Sequence, residues 1–125
     1  MSGDDFERTI TSVERMIDYC ERIVTYRGRF GEKDAFLDDQ AYQDACVMIL
    51  GQIGEETKKI FVWLNSNSDY PWKDVVRFRD FIYHSYSRMD YNMIWGIIDK
   101  DIPAIKKELL DLHESLDEKD SDRKP

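Results

Sequence analysis

The sequence predicts an all-α protein, a compact antiparallel bundle of four to five helices in a single domain. Three observations predict it. Apolar residues recur at spacings of three and four along most of the chain, the period of a helix with one buried face. No segment sustains the alternation of a half-buried strand. Only three Pro and six Gly punctuate 125 residues, which leaves little chain for long loops.

The first stripe is Phe6, Ile10, Val13, Ile17 and Cys20, continued by Ile23 and Val24; it predicts a helix from about Asp5 to Tyr26. Gly28 and Gly31 break the pattern, and the residues from there to Leu37 read as a loop. Asp38 or Asp39 can cap a second, long helix by accepting from its free N–H groups. Its stripe is Tyr42, Cys46, Ile49, Ile53, Ile60 and Leu64, with Thr57 in the gap. Gly51 and Gly54 lie inside it. An interior Gly costs a helix about 1 kcal/mol, and the close approach of a neighbouring helix would compensate. The polar run Asn65 to Asp69 ends this helix. Pro71 suits the first turn of a third, which runs to His84 or Tyr86. Asp90 caps a short fourth carrying Met93, Ile94, Ile97 and Ile98. Asp101 and Pro103 start a fifth, with Ile102, Ile105, Leu109, Leu112 and Leu116 on one face. The domain therefore spans residues 1–116. Residues 117–125 offer nothing to bury and read as a disordered acidic tail.

Composition narrows the function. Aromatic residues make up 13% of the chain, ample for a packed core. No apolar run approaches the ~18 residues of a membrane helix. The N-terminus MSGDDFERTI lacks the basic and then apolar segments of a secretory signal, so the expectation is a cytoplasmic protein. Cys20 and Cys46 lack zinc-type spacing and are too few for a disulfide framework; they read as buried thiols. The formal charge is −8. A protein gripping nucleic acid over its whole surface would be basic. Any RNA contact here must be local.

The third helix departs from a plain amphipathic pattern. Trp72, Val76, Arg79, Tyr83 and Tyr86 share one seam; Val75, Phe78 and Ile82 form an apolar seam beside it. Arg79 thus projects from an apolar and aromatic stripe. An unpaired buried guanidinium is costly, so Arg79 needs a carboxylate partner, a wet cleft or an anionic ligand. His84 lies five positions on, about 140° round a regular helix. The two side chains do not share a face. They meet only if the helix loosens, if the Arg bends round, or if helices from two subunits come together. Asp80 precedes His84 by four and shares its face, so it can hydrogen-bond the ring and fix its tautomer; a solvated surface pair is the other reading.

The stretch Arg79-Asp80-Phe81-Ile82-Tyr83-His84-Ser85-Tyr86 resembles the HEPN pattern Arg-x-x-x-x-His and its longer form ending His-x-Tyr, found in HepT toxins. The flanks agree. QDACVMILGQIGEETKKI is similar to that family's second helix, with its Ile-Gly-Glu step at Ile53, Gly54 and Glu55. Tyr70-Pro71-Trp72 and MDYNMIWGIIDKDIPAIKKEL are similar to the segments before and after the motif. The likeness covers roughly residues 40 to 110. Asp80 stands where HepT members often carry Asn, and Tyr83 where a smaller residue is common.

The resemblance implies a metal-independent endoribonuclease, with no cofactor, in a type VII HepT/MNT toxin–antitoxin system. The ribose 2′-hydroxyl attacks the adjacent phosphate. His84 would act as general acid-base, Arg79 would stabilise the phosphate charge, and Asp80 would orient His84. Lys73, Arg77 and Arg88 could add RNA contacts. The implied assembly is a homodimer or higher even oligomer with a composite cleft of two Arg and two His. The implied partner is a minimal nucleotidyltransferase antitoxin (MNT) that transfers AMP to Tyr86. A different class of function fits the acidity: a non-catalytic HEPN dimer that binds a nucleotide or a partner protein.

Overall fold

The structure, a computed structural model, describes residues 2–84 and 88–123. Among the described residues every regular element is helical. In chain order these are α1 (Gly3–Phe30), α2 (Lys33–Asp38), α3 (Gln40–Lys59), α4 (Phe61–Asn67), α5 (Trp72–His84), α6 (Tyr91–Gly96), a π-helical turn (Ile97–Asp101) and α7 (Ile102–Arg123). No helix among them is long and apolar enough to cross a membrane.

α1 packs against α3 and α7, and α3 packs against α5. The contacts run antiparallel. Tyr42 near the start of α3 donates to the Gly31 carbonyl at the end of α1, 2.9 Å, while Arg15 reaches Glu56 late in α3. Early in α7's rod Asp99 meets Arg27, and later His113 meets Glu14. Gly51 lies beside Tyr83 and Gly54 beside Arg79. The all-α antiparallel reading therefore stands.

Most caps sit where the sequence places them. Asp39 Oδ1 accepts from the Tyr42 N–H, 3.1 Å, and Asp90 Oδ1 accepts from Asn92 and Met93 at 3.0 and 3.3 Å. Both satisfy N–H groups that a helix start leaves free. Cys20 and Cys46 are free and fully buried, and burial pushes both thiols up to about 12.

Five boundaries differ from the sequence reading. α1 runs through Gly28 and stops at Gly31, whose φ of 114° is the left-handed region that favours glycine. Residues read as loop hold α2, anchored by the fully buried Phe36. Phe36 stands edge-on to Tyr42, and Gln43 Nε2 donates to the Phe36 and Leu37 carbonyls at 2.9 and 3.0 Å. One apolar anchor in six residues shows no period. The long second helix is broken at Ile60, φ −119° and ψ 27°, into α3 and α4. The fourth and fifth helices are one rod joined by the π turn, in which the Ile102 N–H bonds the Ile97 carbonyl. The wider turn falls just before Pro103, which has no N–H to give the carbonyl four residues back. α7 then continues through the acidic stretch read as a disordered tail. No described residue after Leu116 is buried.

Candidate active site on helix α5

The N-terminus of α5 is pinned first. Trp72 is fully buried, and its Nε1 donates to Ser68 Oγ, 3.1 Å. Ser68 in turn donates to Glu108 Oε1 of α7, 2.7 Å, and accepts from the Tyr70 N–H, 3.2 Å. Val75 and Ile82 face the core. This leaves Arg79 and Tyr83 on the flank that meets α3.

On that flank α3 presents glycine. A Cβ at Gly54 would lie 2.2 Å from Arg79 Cβ, and one at Gly51 would lie 3.4 Å from the Tyr83 hydroxyl. The absent side chains let α5 settle on α3, the compensation expected for two interior glycines. Arg79 then runs along α3, its side chain only 19% exposed. Glu55 Oε1 accepts from both Nε and Nη2, and Asp80 Oδ1 accepts from Nη1, 2.7 Å. The Tyr83 ring lies 4.6 Å from Cζ, a cation–π contact, with Tyr83 itself 47% exposed. The hydrogen bonds of Asp80 and then Glu55 raise the guanidinium pKa above its ordinary value. Arg79 is thus a fixed, fully charged fork whose donor edges already hold carboxylates.

His84 closes α5 and is exposed. The helix stays regular to that residue, so the 140° offset from Arg79 persists. Among the described residues no hydrogen bond or ion pair joins His84 to Arg79 or Asp80. The Asp80 carboxylate turns to the adjacent guanidinium, with which it makes a charge-assisted bond. Lys73, Arg77 and Arg88 are exposed; Arg77 lies 3.7 Å from Asp74. Tyr86 lies outside the described residues.

Sequence reasoning did not single out Glu55 as the partner of Arg79. The available signal was its place next to Gly54, where the close approach of a second helix was already expected. A partly open cleft of about 230 Å³ is lined by Leu50, Ile53, Val75 and Phe78, among others. Neither Arg79 nor His84 lines it.

Comparison with known proteins decides the family. The sequence profile of the ribonuclease HepT-like family matches residues 16–112. The chain belongs to that family. The matched span runs from α1 into α7 and takes in Arg79 and His84. This HepT-like chain is 33% identical over 106 residues to a Thermococcus cleftensis protein named "Probable ribonuclease HepT", covering 84% of this chain and 90% of that one. It is 32% identical over 88 residues to a Methanocaldococcus jannaschii protein named as a candidate RNase, covering 70% and 73%. A third relative, from the same organism, is named for a gamma-glutamylcyclotransferase and an RNase. It is 31% identical over 86 residues, and the match spans 68% of this chain and 39% of that protein. No solved structure matches the chain.

Proposed function

We propose that this HepT-like chain is a metal-independent endoribonuclease, the toxin of a HepT/MNT pair, acting at a cleft built from Arg79 and His84 of two protomers. The observation that carries the reading is the Arg79-x-x-x-x-His84 pattern on the exposed end of α5, inside the family match. His84 is open to solvent, and an imidazole is a side chain suited to general acid-base work. Arg79 supplies a planar fork of donors for a phosphate.

The reaction follows from those groups. A base removes the 2′-hydroxyl proton, the 2′-oxygen bonds the adjacent phosphorus, and the P–O5′ bond breaks. The products are a 2′,3′-cyclic phosphate and a 5′-hydroxyl that takes a proton from an acid. In each of two symmetric sites His84 of one protomer does the general acid-base work, while Arg79 of the other offsets charge on the pentacoordinate phosphate. Asp80 and Glu55 hold Arg79, and a phosphate must share or displace them. Helix geometry favours a dimeric cleft: within one chain Arg79 turns to α3 while His84 lies about 140° away, so a second α5 would bring the two types of group together.

Control would rest on Tyr86. The MNT partner breaks the Pα–O bond of ATP, joins AMP to the Tyr86 oxygen and releases pyrophosphate, with the phenol proton passing to a base. The added bulk and negative charge, two residues from His84, repel RNA phosphate.

A second reading has its own support. The Arg79 fork is occupied by two carboxylates and the chain carries a charge of −8. Both suit a non-catalytic dimer that binds a nucleotide or a partner protein. RNA cleavage in EDTA separates the two. The proposal expects cleavage by the wild type and a loss of about 10²–10³-fold in a folded Arg79→Ala variant, the usual effect of removing one charge-stabilising donor. Saturable nucleotide binding without turnover would support the second reading, and full activity in Arg79→Ala would remove the site assignment.

A further inference from the structure

The acidity of the chain means RNA has to be held by a local cationic surface. The described structure has one that extends from the candidate site. In the groove between α4 and α5, Lys58, Phe61 and Val62 face Lys73, Val76 and Arg77. It holds about 500 Å³, and Asp80 lies at its edge. Asp80 is also the residue bonded to Arg79, so the edge of the groove adjoins the candidate site. A second hollow of about 440 Å³ on the other flank of α4 shares Lys58, Phe61 and Val62 and adds Arg8 and Lys59. Together the two are lined by five cations and two carboxylates, Asp5 and Asp80. The whole chain has the reverse balance, 18 basic residues to 26 acidic.

The cations are available to a ligand. Among the described residues Lys58 and Lys73 have no ion-pair partner, and the Arg77–Asp74 pair is long at 3.7 Å with both side chains exposed. Arg8 and Lys59 pair with Asp5 and Glu56. The floor is apolar. Phe61 and Trp63 are only partly covered by the core, and Val62 is 78% exposed among these charges. A surface that alternates cations with aromatic and aliphatic side chains along a groove suits a single strand: phosphates meet the cations and unstacked bases meet the apolar floor.

We infer that the belt around α4, built on Lys58, Lys73 and Arg77, is the track that binds single-stranded RNA and leads it to the Arg79–His84 cleft. This inference rests on the ribonuclease reading for its direction but is tested without cleavage. The probe is a fluorescent single-stranded 12-mer RNA, titrated by anisotropy over a range of salt. The variant is Lys58→Gln/Lys73→Gln/Arg77→Gln. The control removes as many charges elsewhere, Lys33→Gln/Lys107→Gln/Lys119→Gln.

The track variant should bind about tenfold more weakly at 0.1 M salt, with the slope of log K against log salt reduced by about 2, since each single-strand phosphate contact contributes about 0.7. The control should follow the wild type. Equal losses in both variants, or wild-type binding in the track variant, would overturn the track. Displacement of the RNA by an oligoglutamate of equal charge, at equal concentration, would overturn its assignment to nucleic acid. The two layers fail separately. A track variant that loses binding alongside an Arg79→Ala variant that cleaves normally would sink the cleft and keep the track. The converse pair of results would do the reverse.

Discussion

α3 has two long neighbours and meets them by opposite means. Where α1 meets α3 the contact belongs to the apolar core, in which Val13, Met16 and Cys20 of α1 are fully buried, and the register is marked by the Tyr42–Gly31 bond. Towards α5 the same helix presents Gly51 and Gly54, and what fills the space is Arg79 and Tyr83. The first seam gains from removing apolar area from water. The second gives up side-chain volume so that a charged group can sit between helices with its partners in place. One helix thus serves as both foundation and mount, and its glycines mark which side is which.

Three substitutions probe that contrast, in falling order of effect. Met16→Ala opens a cavity in the α1 seam and should cost about 2–5 kcal/mol of stability, read by denaturant melts. A cost well under that range would mean the seam repacks easily and is no foundation. Gly54→Ala places a Cβ 2.2 Å from Arg79 Cβ, with no flexible tip to move aside. It should cost about 1–3 kcal/mol as α5 is pushed off α3, and RNA cleavage should fall more steeply than stability. Preserved cleavage in a folded Gly54→Ala protein would show that the close approach does not set the Arg79 geometry. Gly28→Ala should have the opposite sign. Nothing lies within 4 Å of a Cβ there and the residue is helical, so a gain of about 0.5–1 kcal/mol is expected. Destabilisation by Gly28→Ala would mean that its place in α1 is not ordinary helix.

Much of this architecture can be read from residue spacing. The stripes on α1, α3 and α7 mark buried faces, and Asp39 and Asp90 cap the helices they precede. The two α3 glycines foretell a close neighbour. Arg79 on an apolar seam calls for a carboxylate, a wet cleft or an anion, and the structure supplies carboxylates. The features that escape are those with no period of their own. Phe36 anchors α2 alone. The Ile60 break interrupts a stripe without changing its spacing. The π turn keeps α6 and α7 in one rod across a proline that reads as a start. At the site, spacing puts Asp80 on the face of His84 and, one residue on from Arg79, also within reach of that long side chain. Only the charge-assisted bond decides between them, and that depends on where Glu55 and α3 hold the guanidinium. Tyr86 is legible only through resemblance.

The central claim is that Arg79 and His84 act together across two chains. The direct measurement mixes two inactive variants, Arg79→Ala and His84→Ala, by unfolding and refolding them together, and assays RNA cleavage in EDTA. In a two-fold dimer whose sites pair Arg79 of one protomer with His84 of the other, each mixed dimer keeps one intact site. Random pairing should then restore about a quarter of wild-type activity. Recovery of that size, absent when either variant is refolded alone, is the predicted result. No recovery from a mixture shown to contain mixed dimers would contradict the composite cleft.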